Sequence, residues 1–168
     1  ERLTAIKGMT AKKATEISTA FRALTGLRRV TEFLSRYELP VSMAMSLVRA
    51  YGENTLSSLK DNPYLLADDR FGVEFSTADE IAMSLGFGRE SAFRLRSGVK
   101  YVLSEAASSV GHVYLPRASL VSAAARILSA EPATVEAVVK GLVLDGELVA
   151  EAVGEDEAVY LPRCHKAE

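Results

Sequence analysis

Two stretches of this 168-residue chain combine residue types suited to holding an anion. The first is Lys7-Gly8-Met9-Thr10-Ala11-Lys12-Lys13, and the second is Gly72-Val73-Glu74-Phe75-Ser76-Thr77. Glycine allows a tight turn at positive φ, and a hydroxyl residue after it can open a helix. The first N–H groups of a helix have no intrahelical partner, and the helix dipole is positive at that end. A phosphate oxygen fits there without any contact to a base, and neighbouring lysines add charge attraction. Lys7, Gly8, Thr10, Lys12 and Lys13, with Gly72, Ser76 and Thr77, are therefore the candidate binding residues.

The two stretches are copies of one pattern. Gly8 to Ile17 and Gly72 to Ile81 share Gly, an apolar residue, Ala, Glu and Ile at the same offsets. A weaker copy runs from Glu38 to Leu47 and has no glycine. The small Ala at the sixth offset lets the following helix pack closely, and the apolar residue three further on shares its face. This is the logic of a helix-hairpin-helix unit, and repetition makes it far more specific than one copy. The middle copy, with Glu38 and Pro40 in its hairpin, is expected to serve packing alone. In the last copy Glu74 and the neighbouring Asp68, Asp69 and Asp79 oppose a phosphate, partly offset by Arg70. Packing is the favoured role there too.

Around these hairpins the periodicity predicts an all-helical first 110 residues. Thr10 caps a helix to about Leu24, Thr25-Gly26 breaks it, and a second helix runs from Leu27 to Tyr37. Further helices are expected after Pro40 to Gly52, from Asn54 to Asn62-Pro63, from Ser76 or Thr77 to Leu85, and from Ser91 to Ser109. The last of these would put Phe93, Val99, Val102, Leu103 and Ala106 on its core side. From residue 111 the pattern changes. Gly111-His112-Val113-Tyr114-Leu115-Pro116 reads as an interdomain turn. Helices over Pro116–Leu128 and Pro132–Leu144 precede two β-rich runs around Gly154-Glu155-Asp156-Glu157. Helix, helix, β-hairpin is the core of a winged-helix module. The expected fold is thus mainly α, with helix-hairpin-helix units over 1–110 and a small winged-helix-like module with a C-terminal β-hairpin over 111–168.

Charge is distributed unevenly. Residues 1–50 carry nine Lys/Arg against four Asp/Glu, and residues 101–168 carry five against ten. Contact with nucleic acid is expected on the first third. The acidic turn and the single Lys140 on the second helix of the tail module suit a protein contact, since DNA-binding wings are usually basic. No G-x-x-x-x-G-K-[ST] run is present, so a P-loop is excluded. His112 and His165 lack metal-ligand spacing, and Cys164-His165 is read as chance adjacency. No catalytic and no metal-binding residue is expected. One cysteine precludes an internal disulfide and fits a reducing cytoplasm. No apolar run is long enough for a membrane span and no export leader opens the chain. The start at Glu1, without an initiator Met, reads as a piece of a longer protein.

The middle of the chain resembles a known family. Asn62-Pro63-Tyr64-Leu65-Leu66 is followed by Phe71-Gly72-Val73-Glu74-Phe75-Ser76-Thr77-Ala78-Asp79-Glu80-Ile81-Ala82, Leu85-Gly86, and Gly111-His112-Val113-Tyr114-Leu115-Pro116. Their order is similar to the N-terminal region of RecD-like ATP-dependent DNA helicases of the RecD/TraA type, over about residues 3–162. The resemblance implies an accessory region of a 5′-to-3′ helicase of DNA repair or recombination. It implies weak to moderate contact with DNA backbone phosphates, and the motor domains of the same chain as the other partner. ATP and Mg would belong to those motor domains, with no cofactor in this segment. The family's G-h-G hairpin is here Gly8-Met9-Thr10 and Gly72-Val73-Glu74, each without its second glycine. Two other functions stay open on the residues alone. One is an intramolecular scaffold or protein-docking module that binds no DNA. The other, an independent glycosylase-like enzyme, lacks the acidic residue its chemistry needs at the right distance.

Overall fold

The structure, a computed structural model, describes residues 10–165. The chain is mainly helical, with a small antiparallel sheet near its C-terminal end. It divides into two compact units, the first ending at Leu65 and the second beginning at Leu66. The boundary expected near residues 111–115 therefore falls inside the second unit.

In the first unit, helix α1 (Ala11–Arg36) packs against α2 (Met43–Tyr51) and α3 (Thr55–Asp61). The expected break at Thr25-Gly26 does not occur, and α1 runs unbroken through both residues. One glycine costs a helix about 1 kcal/mol, which a long helix with a packed end absorbs. The break was suggested by a real change in phase. Ile17, Phe21 and Leu24 lie on one side and are exposed, whereas Val30, Phe33 and Leu34 are buried on a side roughly 150° away at 3.6 residues per turn. Phe33 also meets Tyr37 edge-on, with ring centroids 5.0 Å apart. Gly52 ends α2 at φ 65°. The Thr55 hydroxyl then donates to the Gly52 carbonyl at 2.6 Å, which turns the chain into α3. Asn54 precedes α3 as expected but makes no side-chain cap.

A 3-10 turn, Pro63–Ala67, carries the chain into the second unit. There α4 (Phe75–Ser84) and α5 (Ala92–Ser109) are followed by β1 (Tyr114–Pro116), α6 (Arg117–Leu128), α7 (Pro132–Leu144), β2 (Val149–Val153) and β3 (Asp156–Tyr160). The helix, helix, β-hairpin order is as expected. The expected interdomain turn is partly a strand: Tyr114–Pro116 pairs with β3, giving the order β1-β3-β2. A strand of three residues carries no alternation to detect, so it is not legible in the sequence. Helix α5 packs on α4, α6, α7 and β1, which joins the tail to the helices before it. Its core side is Arg94, Leu95, Gly98, Val99, Val102 and Leu103, and Phe93 is exposed instead of buried. At Gly98 α5 and α6 approach closely. A Cβ there would lie 2.5 Å from Leu128 Cδ2.

Candidate nucleic-acid interface

The repeated pattern buries the same alanine three times. Its alanines, Ala14, Ala44 and Ala78, are all buried. The apolar position three residues on is buried at Leu47 and Ile81, but Ile17 is 46% exposed. The pattern therefore fixes the root of each helix, and what lies around the helix start differs from copy to copy.

In the first copy Lys7 and Gly8 lie outside the described residues. Thr10 takes the expected place as N-cap of α1, at φ −82° and ψ 155°. Its Oγ1 accepts a hydrogen bond from the Lys13 N–H at 3.3 Å. The Ala14 N–H donates to the Thr10 carbonyl at 2.9 Å as the first helical bond. The N–H groups of Ala11 and Lys12 remain without an intrahelical carbonyl. Lys12 and Lys13 are exposed, and neither forms an ion pair among the described residues. The start of α1 thus offers N–H groups without an intrahelical partner, a positive dipole end and two exposed cations within one turn.

In the last copy Gly72 adopts φ 69°, as the hairpin requires. The helix begins earlier than expected. Its N-cap is Glu74, not Ser76 or Thr77, because the Ala78 N–H reaches the Glu74 carbonyl at 3.1 Å. Ser76 and Thr77 sit inside the first turn, where their N–H groups face the helix start along with that of Phe75. Glu74 makes no side-chain cap and is exposed, so it adds a negative charge beside the helix start. Phe75 stacks on Tyr101 at 5.5 Å. Burial pushes the Tyr101 hydroxyl up, and the Glu105 and Glu74 carboxylates add to the shift.

The other acids near this hairpin are already paired. Arg70 donates to both Asp68 oxygens, at 2.9 and 3.2 Å. Burial alone would raise the Asp68 carboxyl, but bonds from the Arg70 side chain and backbone hold it below the usual range. Asp69 pairs with Arg163 and accepts from the Ser104 hydroxyl at 3.3 Å. Asp79 is held by Arg94, at 2.9 and 3.2 Å. The repulsion expected from Asp68, Asp69 and Asp79 is thus largely cancelled locally, and Glu74 is the acid left facing the helix start.

The middle copy has Glu38 in the left-handed region at φ 56°, where a glycine would be unstrained. The Leu39 N–H donates back to the Leu34 carbonyl at 2.9 Å, which closes the end of α1. Ser42 precedes α2 without a side-chain cap.

In the tail module the acidic turn is only partly free. Arg117, at the start of α6, donates to Glu136 on α7 at 2.7 Å and also to Glu157 on β3. The Glu157 bond, more than the cost of burial, pushes the Arg117 guanidinium up. Arg96 on α5 donates to Asp145 at 2.6 Å and Glu147 at 2.7 Å. Glu155 and Asp156 at the tip are exposed. No ion-pair role for these arginines is legible in the sequence. Each acidic partner lies 15 to 51 residues away along the chain, beyond any local pattern.

Among the described residues, no group of three or more His, Cys, Asp or Glu is placed to hold a metal ion. Among the described residues, no helix is long and apolar enough to cross a membrane. Residues 23–114 match the family model of the HHH domain of ATP-dependent RecD2 DNA helicases. Over 150 residues, 84% of its length, the chain is 27% identical to an ATP-dependent RecD2 DNA helicase of Deinococcus radiodurans. It spans 21% of that relative's length. The matched segment contains the second and third hairpins, all of α5 and the first residue of β1. The chain belongs to the RecD2 DNA helicase HHH-domain family.

Proposed function

We propose that this chain is a non-catalytic accessory region of an ATP-dependent 5′-to-3′ DNA helicase of repair or recombination. It holds DNA by its backbone phosphates, without reading sequence, and hands it to the motor domains of the same protein. The start of α1 carries this proposal: a Thr10-capped helix end with Lys12 and Lys13 exposed and unpaired among the described residues. Gly72, Ser76 and Thr77 form a second, weaker contact limited by Glu74. ATP and Mg belong to the motor, because the chain has no G-x-x-x-x-G-K-[ST] run to cradle a triphosphate. The enzyme works among nucleic acids in the cytoplasm.

The tail supports a second role beside the first. Its winged-helix-like module presents Glu155 and Asp156, and its Arg117 is turned inward onto Glu136 and Glu157. Such a surface repels DNA and suits docking to protein, the motor domains being the natural partner. If docking were the only role, the folded fragment would not bind DNA. Fluorescence anisotropy with labelled single-stranded, duplex and forked DNA at two salt concentrations decides between them. Salt-sensitive binding supports the phosphate contact, and absence of binding at low salt leaves the scaffold role.

A further inference from the structure

Arg70, Arg94, Arg96, Arg117 and Arg163 in the second unit, and Arg28 in α1, are each committed to a carboxylate. The other three arginines of α1 are not. Arg22, Arg29 and Arg36 are exposed and make no ion pair among the described residues. Glu32 is the one acid in α1 within reach of Arg29 and Arg36, and it is engaged by Arg28 at 3.1 Å. Glu16, the other acid of α1, lies about 120° round the helix from Arg22.

The three arginines recur every seven residues, so they fall on one side of α1 with a drift of about 20° per step. Successive arginine Cα atoms are about 10.5 Å apart along the helix axis, roughly three base-pair rises along the axis of B-DNA. Gly26 lies about 40° round the helix from Arg22, on the edge of this side that adjoins Phe33. No atom comes within 4 Å of where its Cβ would be. Bare main chain there would let a ligand close on that edge of the helix. The Thr25 hydroxyl beside it is turned back to the Phe21 carbonyl at 2.9 Å, which keeps this stretch low.

We infer that the Arg22–Arg29–Arg36 side of α1 is a DNA-phosphate track, separate from the hairpins. A strand lies along the helix, with Gly26 at its edge, and the guanidinium groups take successive phosphates. This rests on the proposal that the chain binds DNA, and it moves the larger share of the contact from the helix start to its flank. Arginine suits the task, since its planar fork can grip phosphate oxygens in pairs.

The test measures anisotropy of labelled single-stranded and duplex DNA across a salt series. It compares the full chain with Arg22→Gln/Arg29→Gln/Arg36→Gln and with Lys12→Gln/Lys13→Gln. Circular dichroism establishes that each variant keeps its helix content. The triple variant is expected to lower the slope of log K against log salt by about 2 to 3, at roughly 0.7–0.9 per lost phosphate contact. The lysine pair is expected to lower it by less than 2. Gly26→Leu, which adds bulk without removing charge, is expected to weaken binding several-fold and leave the slope nearly unchanged. If the parent chain binds and the triple variant keeps its slope, the track is wrong and the hairpin contact stands. If the folded parent chain does not bind at low salt, both fail together.

Discussion

The Arg94 guanidinium grips the Asp79 carboxylate with two parallel bonds, at 2.9 and 3.2 Å, while its third nitrogen donates to the Leu128 carbonyl at 2.9 Å and the Arg89 carbonyl at 3.0 Å. One buried side chain thus ties the helix after the third hairpin to α5, to the turn between them and to the end of α6. Asp79 sits one residue beyond the pattern's Ala78, so the position of this hairpin depends on a residue outside the pattern.

Removing that clamp leaves a part-buried carboxylate and two carbonyls without their donor. Breaking a buried pair from one side costs about 3–5 kcal/mol. Arg94→Met is expected to lower stability by about 3 kcal/mol in urea denaturation. A loss below about 1 kcal/mol would show that the clamp is dispensable.

The two mid-helix glycines make opposite predictions. At Gly98 a methyl group would meet the buried Leu128 side chain at 2.5 Å. Overpacking of this kind costs about 1–3 kcal/mol, against about 1 gained from helix propensity. Gly98→Ala is therefore expected to be neutral to destabilising, and Gly98→Val clearly destabilising. At Gly26 nothing opposes the propensity gain, and Gly26→Ala is expected to stabilise by about 0.5–1 kcal/mol. Thermal melts of the single variants check both signs.

Acid weakens the second unit through particular pairs. Lys100, then Arg96, hold the Glu147 carboxyl below its ordinary 4.5 despite its partial burial, and Arg70 holds Asp68 below its ordinary 3.8. A carboxyl depressed in the folded state contributes stability above its unfolded value and loses it as pH falls through the folded one. Tm is expected to be flat from neutrality to about pH 5 and to fall progressively below 4.5. Glu147→Gln should flatten part of that fall. An unaltered acid limb in this variant would remove the pair from the explanation. Both carboxyls are more than a third exposed, so each contribution is small and salt-sensitive.

Glu74 is expected to limit the third hairpin as a phosphate site. Replacing it with glycine would restore the G-h-G spacing at Gly72-Val73-Glu74. Glu74→Gly should raise DNA affinity several-fold at low salt, with a smaller gain at high salt as charge is screened. Equal affinity would mean that Gly72, Ser76 and Thr77 serve packing alone.

Much of this arrangement could be read from local pattern. The buried alanines, the Thr10 cap and the positive φ at Gly72 each depend on residues within about one turn of each other, and the C-terminal hairpin joins two runs separated by a short turn. What escaped depends on longer range or on cancellation. The phase shift at Thr25-Gly26 looks like a break because packing, not propensity, carries α1 through it. Ser76 and Thr77 are good caps by type, but the hairpin geometry starts the helix at Phe75. The roles of Arg94, Arg96 and Arg117 arise from partners brought together only by folding. Of the proposed contacts, Lys12 and Lys13 lie at the described start of α1, while Lys7 and Gly8 lie outside the described residues.

The most direct measurement is the salt dependence of DNA binding for the parent chain and for Lys12→Glu/Lys13→Glu, by anisotropy on single-stranded, duplex and forked DNA. The phosphate contact predicts salt-sensitive binding by the parent, and a double variant that is folded, weaker, and lower in slope by up to about 2. A folded parent chain that leaves all three DNA forms unbound at low salt would contradict it.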